Sequence, residues 1–455
     1  MKRRLTAFAV VLSVLLPTAA AAQGFSLIRD AEIEKYLRQW VTPILEAAQL
    51  ENEAVSIYLV NDKTPNAFVV GGQNIFVHTG TLTIAKSPGE VIGVVAHEVG
   101  HIVGGHLSRS GEAGAAASKV SLLSMLAGVA AIVAGAPDAG ATLIAGSGGF
   151  AQRAFFAHTR VQESAADQSA LRFLTETHQS ARGLIRFFEY LQGYTNQFAV
   201  HIDPYTQSHP LTRTRITRLL EAARATPYWD TPENPVFVEQ FRRMQAKLHG
   251  FLSQPQEVFY LYPEKDTSIY ARYARAVAHH RLAERDKALA EVNSLLAKEP
   301  ANPYFNELKG QIEFEGGHPQ EAIGPYRAAI KYARDEALFR VGLAQAIIAT
   351  EDKSLTDEAI MQLRVANQRD PYNSMAWYQL AIAYAQEGNT TLADLATAER
   401  YMLIGRFREA AGLANRASTR LADNSPDWWR AQDIVNQAVR EYQKQLKQQR
   451  GRRRR

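Results

Sequence analysis

His97-Glu98-Val99-Gly100-His101 lies within an apolar, helix-periodic stretch running from Glu90 to Leu107. Residues four apart on a helix share a face, one turn apart. The spacing therefore aims both imidazoles at one point, the geometry that binds a single Zn²⁺. Glu98 is about 100° round the helix from His97 and can reach a water at the open metal position as general base. A third protein ligand is required. His106 stands nine residues after His97, which on a continuous helix is the opposite face, so a partner or surface role is expected for it. Gly104 fits the eighth place of the longer HExxHxxGxxH pattern, but its eleventh place is Leu107. The better candidate is Glu163, in Glu163-Ser164-Ala165-Ala166-Asp167. Glu163 and Asp167 are again four apart on a predicted helix. One supplies a metal-bound oxygen; the other can accept the free N–H of a ligand His and fix its tautomer. His97, His101 and Glu163 thus make a His₂Glu zinc site, one Zn²⁺ per subunit. With no cysteine in the chain, thiolate ligands, Cys nucleophiles and disulfides are excluded.

These groups need a scaffold. Residues 30–49 read as an amphipathic helix. Val55 to Val60, Ala67 to Val70 and Ile75 to His78 are short β-prone runs, with Gly71-Gly72 between the last two as hairpin chemistry. Helical periodicity covers 88–107, 152–178, 180–193 and 210–224. Residues 225–255 read as a connector with one helix. This half is α+β, mostly helical with a small sheet. The hairpin around Phe68 can present an edge strand, which aligns an extended peptide through main-chain hydrogen bonds. Val120 to Ala136 is an uncharged run of seventeen residues. It is too short and Ala-rich for a membrane span. A buried helical hairpin is expected there, with membrane-surface contact as the alternative.

The second half repeats. Ala288 and Ala322 are 34 residues apart, and so are Ala359 and Ala393; the intervening step of 37 implies an insertion near Glu351-Asp352-Lys353. Trp377, Leu380, Ala381 and Tyr384 match the tetratricopeptide (TPR) signature, and Gly310 fills its small position two repeats earlier. An all-α TPR superhelix is predicted, a surface that binds partners and does no chemistry itself. Beyond Ala393 the register shifts: Gly405, Phe407 and Ala410 suggest a hairpin half a repeat out of phase.

The formal charge of +5 belongs to the ends. Lys2, Arg3 and Arg4 precede an apolar run, Leu5 to Leu16, and Ala20-Ala21-Ala22. That is a cleavable export signal; without it the charge falls to +2. Arg450 and Arg452 to Arg455 close the chain, and without them it is −3. The basicity is thus no argument for nucleic acid, and none is expected as partner. The expected division is a signal peptide over 1–22, a peptidase domain over 23–255, a TPR domain over 256–446 and a disordered basic tail over 447–455. The expected location is the periplasm.

HExxH followed some sixty residues later by ExxxD resembles the gluzincin peptidases of the HtpX-like and CAAX-prenyl-protease-like family. Asn66-Ala67-Phe68 with Gly71-Gly72 and Thr79-Gly80, Glu90, Arg160, and His209-Pro210 with Arg215-Ile216 resemble further family segments. The resemblance implies a zincin-like fold, with His97, His101 and Glu163 as ligands, Glu98 activating water and Asp167 orienting a ligand His. It implies that His209 lies on a loop over the site as a fourth ligand that holds the enzyme latent. Arg160 and Arg215 would support the site, with Arg215 contacting substrate or bracing the loop. For an exported member with a TPR array, it implies outer-membrane β-barrel proteins and their assembly machinery as partners, and unfolded polypeptide as substrate. The rival expectation is a non-enzymatic TPR chaperone or scaffold on a protease-like base.

Overall fold

The computed structural model describes residues 26–70, 72–106, 160–197 and 209–453. The expected export signal and the apolar segment 120–136 lie outside them.

The chain enters through β1 (Leu27–Ile28) and α1 (Ala31–Ala47). Asp30 caps α1 by accepting from the Ile33 amide, satisfying one of the free N–H groups of the first turn. Ile33, Leu37, Trp40 and Ile44 recur at helical spacing and are fully buried. β2 (Ser56–Val60), β3 (Ala67–Val70) and β4 (Asn74–His78) complete a sheet of order β1-β2-β4-β3. β2 and β4 are parallel, with Ile57 opposite Ile75; β3 and β4 form an antiparallel hairpin, with Phe68 opposite Phe76. Among the described residues β3 is therefore an edge strand, and it packs against α3 (Pro88–Val103). After the short α2 (Thr79–Ile84), α3 opens with Ser87 at the cap position and Pro88 in its first turn. The Glu90 carboxylate reaches back to the Lys86 amide at 2.8 Å. Nearly every residue of α3 from Pro88 to Gly100 is buried, the pattern of a helix enclosed on all sides. Around it stand α4 (160–176), α5 (Arg182–Gln197), α6 (Arg213–Arg224) and α7 (Pro235–Leu252).

After α8 (Pro255–Leu261) the chain becomes a run of helical hairpins. They pair α9 (Ile269–Arg281) with α10 (Arg285–Lys298), and α11 (Pro303–Glu315) with α12 (Pro319–Tyr332). Next come α13 (Ala337–Thr350) with α14 (Thr356–Arg369), and α15 (Ser374–Glu387) with α16 (Thr390–Leu403). Last come α17 (Phe407–Ser418) and α18 (Pro426–Arg453). This is a TPR array. Gly310 is small for a reason: a Cβ there would sit 2.9 Å from the Tyr326 ring of the paired helix. The inserted residues near Glu351 fold into a left-handed helix end and a short 3₁₀ turn, Lys353–Leu355. Ala410 occupies the fourth position of a first helix, the place that Ala288 and Ala322 hold in second helices. The half-repeat shift is thus in the signature, while the helices continue in plain succession. The last helix runs on through residues expected to be a disordered tail, as far as Arg453. Its Gln-, Lys- and Arg-rich sequence favours helix, and its basic end complements the helix dipole.

The two halves share one core. Tyr304, Ala329 and Phe339 of the array belong to the same buried cluster as Trp40 and Phe241. At the junction Lys247 Nζ lies 2.7 Å from Asp30 and 3.4 Å from Glu32. Glu32 also accepts from the hydroxyls of Tyr36 and Tyr273, at 2.9 and 2.6 Å. Among the described residues no helix is long and apolar enough to cross a membrane.

Candidate metal centre

α3 carries His97, Glu98 and His101 into the middle of the fold. His97 and Glu98 are almost completely inaccessible. Gly100, inside the motif, lets α4 come close: a Cβ there would stand 2.8 Å from the Ala166 carbonyl oxygen. That approach brings Glu163 and Asp167 to the histidines. His209 joins them from residues 209–212, just ahead of α6. Thr212 caps α6 by accepting from the Arg215 amide, and the Arg215 side chain donates back to the Pro210 carbonyl at 3.3 Å. The loop is thus fixed by the first turn of the helix it enters.

The ring nitrogens of His97, His101 and His209 and a Glu163 oxygen all lie within 4.8 Å of one another. His97 Nε2 and His101 Nε2 are 3.1 Å apart, and each is within 3.4 Å of a Glu163 oxygen. His209 Nδ1 is 3.0 Å from Glu163 and 3.4 Å from His97 Nε2. Two imidazole nitrogens facing each other across 3.1 Å converge on a shared point. Nitrogen and oxygen donors without sulfur, three or four in number and buried, fit a zinc-type ion.

Behind these groups, Asp167 Oδ1 lies 3.0 Å from His97 Nδ1, the carboxylate–imidazole contact that fixes a ligand tautomer. Arg215 grips both carboxylates. Its Nε and Nη2 donate to Asp167 at 2.6 and 2.7 Å, and Nη1 lies 2.9 Å from Glu163. Glu98 points at His209, with Nε2 at 3.5 Å. Burial opposes a charge on His97, but Asp167 and Glu163 outweigh it and push the imidazole up to about 9. Burial and the neighbouring His97 push His101 down to about 2. Burial raises Glu98. It would raise Glu163 and Asp167 too, but His209, His97 and Arg215 hold both below the ordinary carboxylate range.

The sequence-based assignments land unevenly. His97, Glu98, His101, Glu163, Asp167, His209 and Arg215 come together. Arg160 is exposed and has no hydrogen bond or ion pair with the cluster among the described residues. Asn66 and Ala67 sit at the start of the edge strand, tied to α2: the Asn66 amide donates to Thr81 Oγ1 at 2.8 Å. His106 is not among the converging groups, yet it does not lie on the opposite face expected for it. α3 ends at Val103, and Gly105 at φ +60° turns the chain back. A helical wheel does not extend that far, and His106 Nδ1 lies 2.9 Å from His101 Nδ1. The pair Gly104-Gly105 was the available signal of a helix end. The Phe188 ring, edge-on to His97 at 5.8 Å, carried no signal in sequence.

Fold and site together define a metallopeptidase domain joined to a TPR array. Residues 31–223 match the model of Peptidase family M48. The chain is similar over most of its length to β-barrel assembly-enhancing proteases. That of Yersinia pestis is 24% identical over 433 residues, 92% of this chain and 87% of the relative. That of Escherichia coli K12 is 22% identical, over 87% and 80%. A putative one from Vibrio cholerae is 24% identical, over 86% and 81%. Among solved structures, the TPR protein YrrB aligns at TM-score 0.32 and 16% identity, with 38% of this chain and 89% of that one. The repeat assignment rests on the helix pairs themselves.

Proposed function

We propose that the protein is a periplasmic zinc endopeptidase acting on unfolded or stalled outer-membrane β-barrel proteins, with the array engaging those proteins and their assembly machinery. The observation that carries the catalytic part is the buried convergence of His97, His101 and Glu163 beside Glu98. The names of the similar proteases support the assembly role; the Lys2–Ala22 segment supports export.

His97, His101 and Glu163 hold the zinc, one per chain. When bound, it supplies Lewis acidity toward the scissile carbonyl and toward water. Glu98 takes the proton from the attacking water and delivers it to the leaving amine. Its enclosure, which favours the protonated form, suits a group that must also give the proton up. Asp167 fixes His97 with Nε2 toward the metal, and Arg215 holds Asp167 and Glu163 in place. The extended substrate adds alongside β3, where main-chain bonding tolerates many sequences. Phe68 and its neighbours set the first contacts. His209 stands where substrate and water must enter, and it caps the site in the resting enzyme.

Metal analysis and a cleavage assay on unfolded casein test this reading. One zinc per chain, chelator-sensitive cleavage restored by zinc, and loss of zinc in Glu163→Gln are expected. Cleavage unaffected by a chelator, or full zinc content in Glu163→Gln, would remove the assignment.

A further inference from the structure

The array holds a second polar site, far in sequence from the metal centre. A cavity of about 160 Å³ opens among α14, α15, α16 and the start of α18. Three of these, α14, α16 and α18, are second helices of successive hairpins, and α15 is a first helix, so the cavity lies between neighbouring repeats. Trp377, Leu380, Tyr384 and Leu392 form an apolar wall; Asn367 and Arg364 lie on α14, three residues apart and so on one face.

Asn367 is the telling residue. Its side chain is buried, with 6% of the residue exposed, yet neither its Nδ2 nor its Oδ1 has a hydrogen-bond partner. Leaving a buried amide unpaired carries the desolvation cost of each unsatisfied group, and an apolar residue of that size would incur no such cost. A buried polar group kept at this expense needs an explanation outside the folded chain. What it lacks is one acceptor and one donor side by side. A main-chain amide of an extended peptide offers both.

The charges narrow the ligand further. Arg430 is already engaged: it pairs with Glu399 and stacks over Trp377, its guanidinium 4.9 Å from the ring centroid. Arg364 stands exposed at the rim, and no carboxylate lies within 4 Å of it among the described residues. The cavity also contains Asp427, but that carboxylate forms no ion pair with Arg364.

We propose that this cavity binds an extended polypeptide segment with an apolar side chain next to an acidic one. The main-chain amide pairs with Asn367, the apolar side chain fills the space against Trp377 and Leu380, and the carboxylate meets Arg364. The inference rests on the partner-binding reading of the array and is independent of the catalytic assignment.

The probe is a fluorescein-labelled, C-amidated ten-residue peptide with an Asp-Phe-Asp core flanked by Gly and Ser; a Lys-Phe-Lys core serves as control. Anisotropy is read with the full chain carrying Glu98→Gln, so that binding is measured without turnover. The acidic peptide should bind at least tenfold more tightly than the basic one. Asn367→Leu should weaken it at least tenfold while the melting temperature holds or rises, because an unpaired buried amide is removed. Arg364→Gln should erase the preference for the acidic core. Equal affinity for the two peptides, or full-strength binding by Asn367→Leu, would overturn the proposal. So would failure of the parent to bind the acidic peptide at all. Absence of casein cleavage by the chain with Glu98 intact, while this binding is observed, would count against the catalytic reading alone.

Discussion

Glu98 and His209 face one another at 3.5 Å beside the histidine cluster, so the proposed water-activating group would share its space with the proposed cap. His209→Ala should therefore raise casein cleavage. The expected factor is about five- to thirtyfold, what 1–2 kcal/mol of released contact represents; an unchanged or lower rate would show that His209 is no cap. Arg215 is the residue whose loss should spread furthest. It bonds both Asp167 and Glu163, so Arg215→Ala leaves two buried carboxylates without their cation. Zinc affinity should fall by about 10–100-fold, the usual range for partners behind metal ligands. A competition titration against a zinc chelator reads this directly.

At the scale of elements, the metal cluster exists because two helices approach to backbone distance. Gly100→Ala would drive a methyl group against the Ala166 carbonyl. Overpacking of this kind costs about 1–3 kcal/mol, and here it also displaces Glu163. Lower zinc affinity and a lower melting temperature should appear together; a change in neither would mean that the helices adjust freely. The same elements show what was legible from sequence. The pairing of His97 with His101 and of Glu163 with Asp167 was readable because helical spacing dictates which side chains share a face, and the need for a third ligand pointed to Glu163. The β3–β4 hairpin was readable from two β-prone runs around Gly71-Gly72, and the array from its period of 34. What failed was extrapolation past a helix end: His106 turns back at Gly105 onto His101. Nor could spacing show that Arg215, forty-eight residues after Asp167, would clasp it. That contact depends on how α6 packs, which no local pattern encodes. Asn367 was likewise silent in sequence, since an unpaired amide is a property of its surroundings.

On the scale of the whole molecule, peptidase and array are one packed body. Lys247 of α7, Glu32 of α1 and Tyr273 of α9 meet in a buried knot. Lys247→Met would strand the Asp30 and Glu32 carboxylates. Removing one partner of a buried pair costs about 3–5 kcal/mol, which should appear as a large drop in melting temperature. Glu307 adds a pH dependence. Burial pushes it up to about 7; Lys247 opposes this, while Asp30, Glu32 and Glu315 add to it. A carboxyl raised in the folded state contributes its stability fully below its unfolded value of about 4.5. That contribution is lost as pH rises toward 7. Glu307→Gln should therefore flatten the fall in melting temperature between pH 5 and 7; an unaltered slope would reject this account of Glu307.

The central claim is that this single body hydrolyses peptide bonds with Glu98 as proton carrier at a metal held by His97, His101 and Glu163. The direct measurement compares the full chain with Glu98→Gln for zinc content and for casein cleavage in the same preparation. The account predicts one zinc per chain in both, with cleavage lost by about 10²–10⁴-fold in the variant. Cleavage by Glu98→Gln at the parental rate would contradict it.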